Sequence, residues 1–540
     1  MAAKYLFVAG GVYSGTGKGV AAASIGHLLL KRNSSVQLIK CDPYLNINAG
    51  TMNPRQHGEV FLCNDGSETD LDLGTYERIT GIEMSSRNIF TSGTLYQELL
   101  EEVEKGKYLG QTIQVIPHVT DRIKERIMSL GKDAEIVIVE IGGTVGDIES
   151  DAFYDAARQM KQAGGDDVLI IMVAPIIWNA AVKESKTKPL QNAVKALQMR
   201  GLQPDILLCR TDFEQAVEEN TLQKISTQTG VDRHAIFLAP QVRTIYEVPI
   251  VFWKHHVDDL IADKFHLRRR GCQIHKYKEL VEAYIDGCNL PVLNIGIVGK
   301  YENHDEAYLS LKEALLHAAV SNDVKVKIEW IDCEKIQDKS VDLNSCNLHG
   351  IIVPGGFDKR GVQGKMDAIT YCRESKLPFL GICLGLQCAV IEFYRNVMGV
   401  PDATSEEFDP DAKHKVIHFM EGQSEILKKS GTMRLGSYEC VLTTGSLVHS
   451  LYGKKKISER HRHRYEVNSS YVPEMERFQL KVTGKHFYGT QSLVEMIEMD
   501  TSLHPFFVAT QSHPEFQSLL GEPAPLFDGF VKAAVKKQMD

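Results

Sequence analysis

Over the first 265 residues, short β-branched runs alternate with longer stretches of helical period. Tyr5–Ala9, Val36–Lys40, Ile136–Glu140, Val168–Ala174 and Ile206–Cys209 are near-continuous apolar runs rather than alternating ones. That is the pattern of strands covered by helices on both faces. Strands alternating with helices predict a parallel α/β sheet. The pattern breaks between Phe265 and Pro291, where Arg268, Arg269 and Arg270 precede Gly271 and the polar amphipathic stretch Lys276–Asp286. This stretch reads as a linker carrying one surface helix. A second α/β pattern starts at Val292–Val298 and continues through Gly350–Val353 and Leu377–Ile382. The expected division is therefore 1–265, a linker 266–291, and 292–540.

Composition narrows the class. With 540 residues, 43% hydrophobic and 24% charged, the chain has globular proportions and length for two or more cored domains. A net charge of −9 argues against a general nucleic-acid binder, so any polyanion site must be local. The 11 cysteines form no C-x-x-C pair, which suggests neither a zinc ribbon nor a disulfide scaffold and fits a reducing compartment. No segment reads as a signal peptide. The longest apolar run, Val168 to Trp178, falls far short of the roughly 18–20 residues of a membrane helix. A cytoplasmic protein with no membrane partner is expected.

Two segments carry chemistry. The first, Gly10-Gly11-Val12-Tyr13-Ser14-Gly15-Thr16-Gly17-Lys18-Gly19, follows a strand and opens the apolar helix Val20–Lys31. Glycines let backbone N–H groups converge on phosphate oxygens at a helix N-terminus, and Lys18 adds positive charge. The strict P-loop has four residues between its glycines and a Ser or Thr after the lysine. Here the gap is one longer and Gly19 stands in the hydroxyl position. A plain structural turn is the alternative; placement between strand and helix, with a lysine, favours phosphate. Without the hydroxyl, a magnesium ion would need carboxylates, for which Asp70, Asp72 and Glu140 are candidates. The same residues also suit a helix cap, in the case of Asp72, and a lysine partner, in the case of Glu140.

The second segment, Leu380-Gly381-Ile382-Cys383-Leu384-Gly385-Leu386-Gln387, frames a cysteine with small residues at a strand-to-helix junction. It is the cysteine counterpart of a nucleophile elbow. His513-Pro514-Glu515, after the strand-like Phe506–Thr510, offers a base and an orienter. Backbone N–H groups of Leu384 and of the turn Pro354-Gly355-Gly356-Phe357 could form an oxyanion hole. Cys388 reads as core. Arg460-His461-Arg462-His463-Arg464, as a strand, would place three arginines on one face. Those arginines suit a small carboxylate or phosphate better than nucleic acid.

The chain closely resembles the CTP synthase family over nearly its whole length. The most specific stretches are Lys40–Tyr44, Gln56–Phe61, Glu68–Gly74, Val115–His118, Val139–Ser150, Lys186–Pro189, Gly381–Gly385, Gly431–Gly436, Glu459–Asn468 and His513–Phe516. The resemblance implies an α/β protein of two domains. These are an N-terminal Rossmann-like P-loop synthetase domain and a C-terminal flavodoxin-like class I glutamine amidotransferase domain. It implies an ATP-dependent ligase that aminates UTP to CTP, the last step of de novo CTP biosynthesis, with ammonia from glutamine channelled between two active sites. Gly15, Thr16, Gly17, Lys18, Gly19, Val20, Lys40 and Asp72 match the family's ATP positions, and Asp72 and Glu140 its magnesium ligands. Ser14, Asp147, Ile148, Glu149, Lys186, Thr187, Lys188, Pro189, Leu190, Gln191 and Lys224 match its UTP/CTP positions. Cys383, His513 and Glu515 match the catalytic triad; Gly356, Leu384, Gln387, Glu407 and Arg464 match the glutamine site. The family also implies GTP as allosteric activator, CTP as feedback inhibitor, a homotetramer, and often filaments.

Some positions depart from the family pattern. The phosphate loop reads Ser14-Gly15-Thr16-Gly17 where Ser-Ser-Leu-Gly or Ser-Gly-Ile-Gly is usual. Thr75, Leu190, Asn192, Gln228 and the pair Asp358-Lys359 also differ, which bears on pyrimidine affinity and feedback. Two other classes compete. A partitioning-type P-loop ATPase would leave Cys383, His513 and Glu515 idle, and an amidotransferase for another ligase is opposed by Lys186–Pro189 and Val145–Ser150.

Overall fold

The apolar runs become the inner strands of two sheets. A computed structural model describes residues 3–53, 57–213, 215–268, 270–286, 290–300, 305–356, 359–419, 433–488 and 491–539. Arg269, Gln56, Phe357, Asp358 and the start of the stretch from Gly431 therefore lie outside the described residues. The chain divides into two compact units: residues 1–52 with 69–285, and residues 53–68 with 286–540.

The first unit is built on a seven-stranded sheet in the order Ile236–Pro240, Ile206–Thr211, Val168–Pro175, Lys4–Gly10, Ile136–Ile141, Val36–Asp42, Ile89–Thr91. Every neighbouring pair is parallel. Leu6–Ala9, Ile136–Val139 and Val168–Ala174 are fully buried, as strands sandwiched between helices must be. The carboxyl ends of Lys4–Gly10, Val36–Asp42 and Ile136–Ile141 lie side by side, the place where open α/β sheets bind ligands. Among the edge strands, Ile89–Thr91 is too short to announce itself, whereas Ile236–Pro240 carries an apolar run, Ile236–Ala239, as long as Ile206–Cys209 and is absent from the expected strands.

The helix His275–Asp286 falls in the stretch read as a linker. It is docked rather than free: Tyr277 donates its hydroxyl to the Tyr246 carbonyl at 3.0 Å, and Gln273 N–H reaches Lys31 O at 2.9 Å. Arg270 donates to Asn33 O at 2.8 Å, so the arginine run partly serves the first unit's surface.

The second unit has a nine-stranded mixed sheet. Five strands, Lys325–Asp332, Val292–Gly299, Gly350–Val353, Phe379–Ile382 and Phe507–Thr510, are parallel neighbours. An antiparallel extension follows through Gln491–Met499, Leu480–Tyr488, Arg434–Leu442 and Lys456–His463.

Residues 53–68 belong to this unit although they interrupt the first in sequence. Both Glu59 carboxylate oxygens accept from the Ser310 N–H at 2.9 Å, at the start of helix Leu309–Ser321. The Phe61 ring meets Phe516 edge-on, with centroids 5.3 Å apart. Arg460 donates to Asn64 Oδ1 at 2.6 Å and Leu62 O at 2.9 Å, and Arg462 to Glu68 at 2.7 Å. Among the described residues, no helix is long and apolar enough to cross a membrane.

Candidate functional site

The glycine-rich loop leaves strand Lys4–Gly10 and enters helix Lys18–Lys31 through Gly15 (φ 78°) and Gly17 (φ 86°). Both angles lie in the left-handed region that glycine adopts without a Cβ clash. Lys18 Nζ donates to Gly143 O at 2.8 Å, tying the loop to the turn after strand Ile136–Ile141. Burial pulls the Lys18 ammonium below its ordinary range, although Glu140 and Asp72 act the other way. Thr16 is buried, and its Oγ1 has no hydrogen-bond partner among the described residues. Ser14 is exposed on the loop and Val20 is half-buried in the first helical turn.

Gly19 explains what replaces the missing hydroxyl. A Cβ there would press on the Asp72 carboxylate and lie 3.2 Å from Glu140 Oε2. The two carboxylates thus occupy the space beside the helix start. The ammonium of the buried Lys40 pairs with both Asp72 and Glu140, at 3.0 Å from the latter, and lies 3.8 Å from Asp42. The helix cap is Asp70, which accepts from Asp72 N–H at 2.8 Å; Asp72 itself sits in the first turn and points to Lys40. Burial raises Asp42 to about 6 and raises Asp70 and Glu140, and neighbouring carboxylates add to each shift. Burial works against the Lys40 charge, but the surrounding carboxylates raise it well above its usual value. Four carboxylates face two lysines, so the pocket has a surplus of hard oxygen donors and negative charge. A magnesium ion fits such a site, since it is commonly held by one or two carboxylates plus phosphate oxygens. Among the described residues, no group of three or more His, Cys, Asp or Glu side chains is arranged as a complete metal cage.

The loop following Ile136–Ile141 carries Asp147, which accepts from Thr144 N–H and Oγ1 at 2.8 Å, and the exposed Ile148 and Glu149. Val145 N–H bonds Gly10 O at 2.8 Å, so this loop flanks the phosphate loop. Helix Lys188–Met199 packs against Gly11, where a Cβ would overlap Ala193. At its start Gln191 donates to the buried Thr187 hydroxyl at 3.0 Å, Pro189 occupies the first turn, and Leu190 is fully buried. Leu190 is thus a core residue. Lys186 pairs with Glu184 at 2.6 Å, and Lys224, exposed on helix Glu219–Thr229, acts on the same carboxylate.

Sequence reasoning missed a cavity of about 100 Å³ against the phosphate loop, lined mainly by Val20, Val173, Leu208, Ala239, Val248 and Phe252, with Arg210 at its wall. Part of that wall comes from the unread edge strand Ile236–Pro240.

In the second unit, Cys383 lies between strand Phe379–Ile382 and helix Leu384–Asn396, with φ 53° and ψ −103°. A non-glycine residue in such a conformation costs on the order of 1–3 kcal/mol, which the surrounding fold must offset. The neighbouring glycines make the turn possible: a Cβ on Gly385 would overlap the Val353 carbonyl oxygen. Cys388 is buried core, as expected. His513 Nδ1 is 2.7 Å from Glu515 Oε1. Its Nε2 is buried without a hydrogen-bond partner among the described residues. Burial disfavours the imidazolium, but Glu515 and the neighbouring Cys383 outweigh it and raise His513 to about 10. A Cβ on Gly355 would lie 2.9 Å from His513 Cε1 and 3.4 Å from Cys383 Cβ, so the glycine turn closes over both.

A cavity of about 220 Å³ opens above Cys383, and its lining includes Glu59, Lys300, Tyr308, Gly356 and Arg462. A Cβ on Gly356 would touch Leu384 Cδ2 at 3.5 Å. Gln387 donates to Tyr465 O at 2.9 Å and to Gln511 Oε1 at 3.2 Å; Gln511 Nε2 lies 3.7 Å from Cys383 Sγ. Glu407 and Arg464 both act electrostatically on Tyr465, and Arg464 is exposed. The expectation of three arginines free for a ligand is corrected. Arg460 and Arg462 are engaged by residues 62–68, and only Arg464 stands apart from that set.

Residues 4–267 match the family model of the CTP synthase N-terminus, and residues 304–533 that of class I glutamine amidotransferase. Fold and sites define a glutamine-dependent ligase, with a nucleotide-type α/β unit and an amidotransferase unit in one chain. The chain is 47% identical to CTP synthase of Methanococcus maripaludis, covering 99% of this chain and 100% of that protein. It is 47% identical to CTP synthase of Methanocaldococcus jannaschii, covering 99% of each. CTP synthase of Acidobacterium capsulatum is also 47% identical, over 99% of this chain and 96% of that protein. The chain belongs to the CTP synthase family.

Proposed function

We propose that this protein converts UTP to CTP, using ATP and nitrogen from glutamine, through the residues described above. The observation that carries the reading is Cys383 on its strained turn, beside a histidine whose other nitrogen is held by Glu515. In the second unit, the Cys383 thiolate attacks the glutamine amide carbon. His513 gives a proton to the departing ammonia, and water hydrolyses the resulting thioester to glutamate. Leu384 and Gly356 N–H groups receive the oxyanion. Gln387, Glu407 and Arg464 hold the glutamine amino-acid group. In the first unit, the phosphate loop Gly15–Val20 holds ATP, with its base in the apolar cavity beside Phe252. Lys18 and Lys40 neutralise charge as the γ-phosphoryl moves to O4 of UTP. Ammonia then displaces that phosphate, giving CTP, ADP and phosphate. Asp72 and Glu140 would hold a magnesium ion, which would supply further neutralisation of phosphate charge. Ser14, Asp147, Ile148, Glu149, Lys186–Pro189, Gln191 and Lys224 form the pyrimidine nucleotide site for UTP and inhibitory CTP, with Leu190 as core support.

GTP activation, a homotetramer or filament, and a cytoplasmic location complete the proposal. The exposed apolar side chains Leu45, Ile47, Val115, Ile116 and Ile148 support self-association, and the ten described cysteines are all free thiols. The test is Cys383→Ala, assayed by the ultraviolet change from UTP to CTP. Glutamine-dependent synthesis should vanish while ammonia-dependent synthesis persists, because free ammonia bypasses the thiolate. Loss of both would overturn the division of labour.

A further inference from the structure

The chain of amides behind Cys383 has a fixed polarity. Tyr465 O can only accept, so the Gln387 end that meets it at 2.9 Å is the NH₂ group. The same Nε2 reaches Gln511 at 3.2 Å, which requires the Gln511 oxygen on that side. The Gln511 NH₂ group is thereby turned onto Cys383 Sγ at 3.7 Å. Neither amide can be flipped without setting two donors or two acceptors face to face in a dry interior. Gln511 is completely buried, and so has no solvent alternative.

The backbone locks this arrangement. Strands Phe379–Ile382 and Phe507–Thr510 are parallel neighbours with Ile382 opposite Thr510, so Cys383 and Gln511 emerge side by side. Cys383 N–H bonds Thr510 O at 2.7 Å, and Gln511 N–H bonds Glu495 O at 2.8 Å. The sulfur also lies 3.8 Å from Arg462 O, a contact that suits only the protonated thiol as donor. His513 is a further neighbour of the sulfur.

We propose that Gln511 is a further catalytic residue of the amidotransferase site: its side-chain amide donates to the nucleophilic sulfur and favours the thiolate over the thiol. Because the relay runs through Gln387, a residue assigned to the bound glutamine, substrate binding and nucleophile share one hydrogen-bonded chain. Glutamine that draws on Gln387 adjusts the donor facing the sulfur. The inference rests on the proposed role of Cys383 as nucleophile.

The test uses the full chain and iodoacetamide, following Cys383 alkylation against pH, together with kcat and KM for glutamine. Gln511→Met keeps the size and removes the donor. Its alkylation midpoint should move up by about one pH unit, and kcat should fall roughly tenfold near neutral pH with KM little changed. Gln511→Glu keeps the shape and serves if the apolar variant fails to fold; placing a carboxylate against the sulfur should move the midpoint further in the same direction. Superimposable alkylation profiles would overturn the inference. So would a loss of activity expressed in KM alone, the mark of a merely structural role. If alkylating Cys383 in the unmodified protein spared glutamine-dependent synthesis, the functional reading itself would fail instead.

Discussion

Glu515→Gln isolates the electrostatic part of the proposed triad. The substitution keeps the shape beside His513 Nδ1 but removes the charge 2.7 Å away. In the intact protein, burial opposes the imidazolium, while Glu515 and Cys383 raise His513 from its ordinary 6.5 to about 10. A raised histidine keeps its proton below 6.5 and through the interval up to about 10, and loses it above. The imidazolium is therefore held across neutral and mildly alkaline pH. Without Glu515 the burial penalty remains, and the imidazolium is lost at lower pH. A hydrogen bond to a charged group contributes about 1.5–3 kcal/mol, or roughly 10- to 150-fold in rate. The assay is glutaminase kcat/KM from pH 6 to 10, with ammonia-dependent synthesis as the control for folding. The expected result is a loss in that range, largest between pH 8 and 9, with the alkaline limb moved down by a unit or more. Activity within threefold of the unmodified protein and an unmoved limb would refute the reasoning.

Glu140→Ala removes one of the two carboxylates paired with Lys40; synthesis should fall on the order of 10²-fold with either nitrogen source, since both need the same phosphoryl transfer. A near-normal ammonia-dependent rate would mark Glu140 as structural. Gly385→Ala drives a methyl group into the Val353 carbonyl, so the thermal midpoint of the second unit should drop and glutaminase activity with it; overpacking of this kind costs about 1–3 kcal/mol or more. An unchanged melting curve would show that the turn can open to admit it.

The inner parallel strands of both sheets were legible because fully buried parallel strands leave a local signature of uninterrupted apolar residues; strand Lys325–Asp332 and the antiparallel strands Gln491–Met499, Leu480–Tyr488 and Arg434–Leu442, half exposed or alternating, were not. The edge strand Ile89–Thr91 has only three residues and leaves no such signature. The turn around Cys383 was legible for a different reason: only small residues fit a strand-to-helix junction that tight, so Gly381 and Gly385 bracket the cysteine in the sequence itself. Pairings were harder. Glu140 could be read as metal ligand or lysine partner, and the structure shows the Lys40 contact beside an excess of carboxylates that leaves room for both. The expected cap, Asp72, sits in the first turn, and backbone geometry gives the cap to Asp70 instead. Gln511 has no local signal at all, because its meaning depends on the acceptor-only carbonyl of Tyr465, 46 positions away. Arg460 and Arg462 misled for the same reason, since their partners at residues 62–68 lie almost 400 positions upstream.

That last separation sets a timetable for the chain as it is made. Leu62 and Arg460 are 398 residues apart, and Glu59 and Ser310 are 251 apart. At about 5–20 residues per second, a ribosome needs roughly 20–80 s after Leu62 to produce Arg460. For that time Phe61 and Leu62, both completely buried in the finished protein, lack Arg460, and Phe61 lacks the Phe516 ring as well. The first unit can assemble around an open insertion while the insertion waits for a host not yet synthesised. A nascent chain stalled before residue 310 should therefore expose this segment to proteases and to chaperones that bind apolar peptides. Separating the two activities by cutting the gene near residue 286 would leave the amidotransferase half with a buried arginine two of whose partners, Leu62 and Asn64, were encoded on the other piece.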